Sequence, residues 1–182
     1  AFLKKIKFKE NDILAEKYTL ECTTYFDMVN NKLETSKLDK KNLEHNIANT
    51  NDCISKNNKI IQQIEAYIFQ TGQYISKNEH LTFVNDPSRI HNLKSSINNA
   101  IYDKDVYIQS CTEYSKYIQE CQQSLISVDN YIKYCEDEIK NINSYKNSCI
   151  DFYKNINTQK TRANKKLTKS LQEKIDWNDS LI

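Results

Sequence analysis

The amino-acid sequence predicts an all-α protein, an elongated antiparallel four-helix bundle with coiled-coil-like packing. Three observations predict it. The chain of 182 residues holds one glycine and one proline, so it has almost none of the residues that end helices or shape tight turns. Apolar residues recur every three and four positions over long stretches, the period of a helix face. Apolar residues make up only 38% and charged residues 27%, so the core is modest and filled in part by Tyr, Thr and Lys stems. We expect a single helical domain over residues 1–182.

The elements follow in order. Residues 1–10, AFLKKIKFKE, alternate Phe2, Ile6 and Phe8 with lysines and read as a flexible basic N-terminus. Ala15, Tyr18, Cys22, Tyr25 and Val29 step by three and four; the pattern then loses one residue of phase at Leu33 and crosses the polar stretch ETSKLDKKN, which predicts a kink or turn near residues 34–42. Leu43, Ile47, Ile54, Ile61, Ile64, Ile68 and Ile75 resume the helical spacing. Gly72 is a candidate terminus for that helix. In NDPSRI, Pro87 marks a new start, because proline fits the first turn of a helix and not its interior.

From Ile90 to Ile156 a heptad can be written out. Position a takes Ile90, Ile97, Lys104, Cys111, Ile118, Leu125, Ile132, Ile139, Lys146 and Tyr153; position d takes Leu93, Ala100, Tyr107, Tyr114, Cys121, Val128, Cys135, Ile142, Cys149 and Ile156. Only Lys104 and Lys146 among them are charged. Residues 158–182 form a basic amphipathic tail helix, with Leu167, Leu171 and Ile175 in a stripe.

The six cysteines test this layout. An even number suits a secreted, disulfide-bonded protein. On one unbroken helix of about 100 Å, at about 1.5 Å per residue, Cys121, Cys135 and Cys149 stand about 21 Å apart, whereas a disulfide needs Cα atoms within about 7 Å. A turn near SVDNY, capped by Ser127 or Asp129, divides the heptad into two conventional helices and gives every thiol a partner: Cys53–Cys111, Cys121–Cys135 and Cys22–Cys149. The alternative is a long antiparallel helical hairpin, in which the heptad phase runs on unbroken.

Catalytic chemistry finds no foothold. There are no phosphate-cradling glycines, no nucleophile elbow and no close His or Cys pairs, so no enzyme activity, cofactor or metal is expected. His45, His80 and His91 stand alone. The acids Glu136, Asp137 and Glu138 in CEDEIK read as solvated first-turn residues of a helix starting just before them. Tyrosines recurring at seven-residue steps, Tyr18 and Tyr25, Tyr67 and Tyr74, Tyr107 and Tyr114, are expected to line a partly polar core that opens readily. A net charge of +2 does not call for nucleic acid, and none is expected as a partner. Candidate contacts to a membrane or polyanion are Lys4, Lys5, Lys7, Lys160, Arg162, Lys165, Lys166 and Lys169. No segment reaches the about 18 apolar residues of a transmembrane helix, and AFLKKIKFKE lacks the apolar centre of a signal peptide, which reads as a mature, soluble chain.

The usage of Lys, Asn, Ile and Tyr over Ala, Arg, Gly and Pro points to an AT-rich genome. With the even cysteine set and the helical plan, the chain resembles secreted helical-bundle proteins of Plasmodium, in particular the non-perforin sporozoite proteins needed for host cell traversal. The resemblance is one of composition and plan, without a specific motif. It implies a secreted, micronemal or surface location, no enzymatic activity, and action with the host membrane and a perforin-like parasite protein. Helical invasion ligands of the reticulocyte-binding-like group share the composition and imply instead an adhesin for a host-cell receptor. A third class, a cytosolic coiled-coil scaffold with reduced thiols, fits the periodicity alone.

Overall fold

The structure, a computed structural model, describes residues 2–80 and 87–180, and the side chains of 13–80, 87–177 and 180. Two helices account for nearly all of them: α1, Phe2–Asn78, and α2, Pro87–Asp179. The protein is all-α, with no strand among the described residues. Pro87 opens α2, where its missing N–H would be unpaired in any case. Gly72 does not end α1; with an ordinary negative φ it is one more helical residue. The helix continues to Asn78, whose side-chain amide donates to the Tyr74 carbonyl at 2.7 Å, and the Glu79 amide adds a last helical bond to Ile75 at 2.8 Å. Threonines and serines inside the helices donate to the carbonyl four residues back, as Thr19 does to Ala15 at 2.8 Å and Ser110 to Val106 at 3.0 Å. These bonds satisfy hydroxyls that would otherwise compete with the helix.

The turn expected near SVDNY is absent. Residues 127–131 lie inside α2, so the four-helix arrangement, which needed a break there, is not formed, and the two helices are those of the alternative reading. The physical reason is the heptad itself: every a and d position from Ile90 to Ile156 except Tyr114 is buried or half-buried, leaving no gap in which a turn would be favoured.

The phase slip on α1 also disappears. Buried or half-buried positions alternate by four and three from Ala15 through Thr19, Cys22, Phe26, Val29, Leu33, Ser36 and Lys40 to Leu43, then on through Ile47, Thr50, Ile54, Asn57, Ile61, Ile64, Ile68, Thr71 and Ile75. Polar members hide this register. Tyr18 and Tyr25 lie beside the seam and remain exposed, as do Tyr67, Tyr74 and Tyr114; of the six tyrosines expected inside, Tyr107 alone is half-buried, so a tyrosine-lined core is not what forms. A phenol on a helix flank keeps its hydroxyl at the surface, where water or a partner on the facing helix satisfies it at no cost in buried polar groups, as Glu138 does for Tyr25 and Ser96 for Tyr67.

The chain divides into two compact units, Ala1–Lys37 with Asn130–Ile182, and Leu38–Asp129. Both boundaries fall in the stretches that the sequence marked for turns. In the first unit a cluster of Cys22, Val29, Leu33, Cys135 and Ile142, flanked by Phe26, Ile132 and Ile139, forms the core, with Cys135 only 1% exposed. The Tyr25 hydroxyl crosses to Glu138 Oε2 at 3.1 Å. In the second unit Ile75 and Cys121 alone among the described residues are fully buried, and polar pairs tie the helices: Lys40–Asp129 at 2.8 Å, Glu65–Lys104 at 3.8 Å, Tyr67–Ser96 at 2.7 Å, and Glu79 with Lys94. Residue numbers climb on one helix as they fall on the other, so the segments run antiparallel.

Candidate functional site

The first candidate is the end of α2 beyond the seam. The buried stripe of α2 fades after Ile156; Lys160 and Ala163 are half-buried, and from Asn164 to Trp177 every side chain is exposed. Hydrogen bonds local to the helix hold this segment: Thr161 to Asn157 at 2.9 Å, Thr168 to Asn164 at 3.0 Å, and Gln172 Nε2 to Asp176 Oδ1 at 2.9 Å. Leu167, Leu171 and Ile175, spaced by four, form one stripe and are 46%, 54% and 51% exposed. At 3.6 residues per turn Arg162, Lys165, Lys166 and Lys169 fall on the opposite side. Lys169 has Glu173 at 3.8 Å, an exposed pair of small energetic consequence. Trp177 is exposed as well. Lys4, Lys5 and Lys7 belong to the stretch of α1 whose side chains lie outside those described.

The second candidate is the set of thiols, all reduced. Cys121 and Cys135 share one continuous helix two heptads apart, about 21 Å by helical rise, and cannot bond to each other within the chain. Cys111 meets Asn58, its Sγ lying 3.8 Å from Oδ1. Cys53 sits five residues earlier on α1, an offset of about 7.5 Å, so Cys53 and Cys111 are not brought together. Cys22 and Cys149 lie in the first unit at seam positions of the two helices, Cys22 buried and Cys149 half-buried. Burial, and next the charge and hydrogen bond of Cys149, push the Cys22 thiol above its ordinary range, while Lys146 pulls it down.

Glu138 departs from the solvated-acid expectation. No helix begins near it, and it is half-buried as the acceptor of Tyr25, whereas Glu136 and Asp137 are exposed and Asp137 pairs with Lys140 at 3.2 Å. A cleft lined by Ala15, Thr19, Thr23, Ile150 and Tyr153 in the first unit was not anticipated. Its sequence signal is the run of small or β-branched residues at four-residue spacing, Ala15, Thr19 and Thr23. Among the described residues no group of three or more His, Cys, Asp or Glu converges as metal ligands would.

A scan against protein-family models found no match to this chain, and searches of curated proteins and of solved structures found none.

Proposed function

We propose that the protein binds anionic membrane surfaces through the exposed end of α2, as a secreted parasite protein that supports host cell traversal alongside a perforin-like partner. The observation that carries this reading is the exposed stripe Leu167, Leu171 and Ile175 opposite Arg162, Lys165, Lys166 and Lys169. Such a helix sinks its apolar side to the headgroup boundary and keeps its cations in water. Burial of a leucine or isoleucine side chain contributes about 1.5–3 kcal/mol, and a cation near an anionic leaflet about 1 kcal/mol. Together these exceed the ordering of a segment already helical. No described helix is long and apolar enough to cross a bilayer, so the reading is of a helix that lies on the surface.

Vesicle flotation tests it. The wild-type chain is expected to float with phosphatidylserine-containing vesicles, less with neutral phosphatidylcholine, and to lose flotation when Leu167, Leu171 and Ile175 are changed together to Gln. Flotation unchanged by that triple substitution, or absent from all compositions, overturns the reading. Cell binding that persists without lipid binding favours the receptor-binding adhesin.

A further inference from the structure

We propose that Cys22 and Cys149 are a thiol–disulfide exchange centre, in which Cys149 takes the incoming disulfide and Cys22 closes the intramolecular bond. The inference is independent of lipid binding.

Geometry singles out this pair. Cys22 is a seam residue of α1, 8% exposed, in the register Ala15, Cys22, Val29. On one side of it, a cleft is lined by Ala15, Thr19 and Thr23 from α1 with Ile150 and Tyr153 from α2. On the other, a cleft is lined by Tyr18, Cys22 and Tyr25 with Asn141, Ile142 and Tyr145. The α2 segment bounded by these clefts contains Cys149, a half-buried seam position of the same unit, which sets it on the stretch of α2 opposite Cys22. Cys121 and Cys135 are buried on a shared helix, and Cys111 faces an amide.

The order follows from access. Cys149 is half-buried, whereas Cys22 is buried and its proton is held more tightly by that burial. A small disulfide such as oxidised glutathione reaches Cys149 first. The Cys149 thiolate, having released its proton to water, attacks one sulfur; the S–S bond of the donor breaks, one glutathione leaves as thiolate, and a mixed disulfide remains on Cys149. The Cys22 thiolate then attacks Sγ of Cys149, and the second glutathione leaves. Two protein thiols are oxidised and one donor disulfide is reduced to two thiols. The buried position of Cys22 beside Cys149 makes the second step intramolecular, and hence fast once the first has occurred.

The test treats the full chain with oxidised glutathione, blocks residual thiols with N-ethylmaleimide and maps unreduced peptides. A Cys22–Cys149 peptide is expected as the only intramolecular link, with Cys121 and Cys135 alkylated after denaturation. Alkylated Cys22 and Cys149 at saturating oxidant, or a link joining either to another cysteine, overturns the proposal, and this arm needs no variant. The order is tested by single substitutions: Cys22→Ser is expected to accumulate the glutathione adduct on Cys149, and Cys149→Ser to acquire it on Cys22 at least tenfold more slowly. Equal rates overturn the assigned order. Circular dichroism of both variants, alongside Cys22→Ala, separates loss of helix from loss of exchange.

Discussion

Lys104, at an interior heptad position of α2, reaches across to Glu65 of α1 at 3.8 Å. A lysine at an a position costs packing and gives register in return. Its side chain is 27% exposed, against 55% for Glu65, so the pair is screened and contributes at most about 1 kcal/mol. Lys104→Leu is therefore expected to stabilise the fold by about 1 kcal/mol, since a largely covered site gains apolar contact. Lys104→Glu, which sets two carboxylates together, is expected to destabilise it. Urea unfolding measures both; a Leu variant less stable than wild type would show that the pair outweighs the lost packing.

The two compact units differ in how deeply they bury their seams. Ile142 belongs to the enclosed cluster with Cys135, Val29 and Leu33, whereas Ile64 is half-buried. Ile142→Ala is expected to cost about 2–4 kcal/mol and Ile64→Ala about half as much, because the latter leaves a cavity open to water. Amide exchange is expected to run slowest at residues 22–33 and 132–142. Equal costs, or slower exchange at residues 54–68, would contradict this ordering.

Helix type and the α2 register were legible because apolar residues filled a and d with two charged exceptions. The α1 register was not. Its seam carries Thr19, Ser36, Lys40, Thr50, Asn57 and Thr71, which look like surface, while the apolar-looking Tyr18 and Tyr25 flank it. The apparent slip at Leu33 came from reading those tyrosines as core. Cysteine counting erred for a related reason: an assumed pairing of thiols set the register, and Asn58, five residues from Cys53, is what faces Cys111. The pairing of Cys22 with Cys149 came from the same counting, and both residues are seam positions of the first unit. The basic tail could be read as amphipathic, but whether its stripe packs or lies exposed depends on tertiary contacts that periodicity does not carry.

Alkaline stability turns on the phenols. Tyr25 is held above its ordinary value of 10.0 first by its hydrogen bond to Glu138 and then by the partial desolvation of its ring against α2. A folded-state value above the unfolded one adds stability that is fully present below about pH 10 and lost as pH rises through the raised value. Stability is thus expected to fall above pH 10, and Tyr25→Phe to flatten part of that decline. Tyr145 is raised chiefly by the charge of Cys149. Oxidation of that thiol removes the charge, so its phenolate is expected to appear at lower pH in the oxidised chain. At the acid end Glu79, lowered by Lys94, adds stability lost as pH falls below its ordinary 4.5. Denaturant midpoints across pH, with Glu79→Gln as the comparison, check the acid limb; a Gln variant with an unchanged acid limb would remove Glu79 from it.

The continuity of α2 through residues 127–131 is open to a proline test. Val128 is a half-buried d position between Leu125 and Ile132, and the Ser127 hydroxyl donates to the Gln123 carbonyl at 3.3 Å, one turn back along the same helix. In a turn, proline at 128 would be accommodated with little loss. Inside a helix it deletes the hydrogen bond to residue 124 and drives its ring against that carbonyl, at a cost of about 3 kcal/mol or more. Val128→Pro is therefore expected to lower stability by at least that amount, well beyond Val128→Ala, which loses only part of a half-buried side chain and is expected to cost about 1 kcal/mol. Thermal and urea unfolding of the two variants distinguish the cases. A proline variant as stable as the alanine one would place a turn at SVDN and restore the four-helix arrangement, and with it the pairing of Cys121 and Cys135.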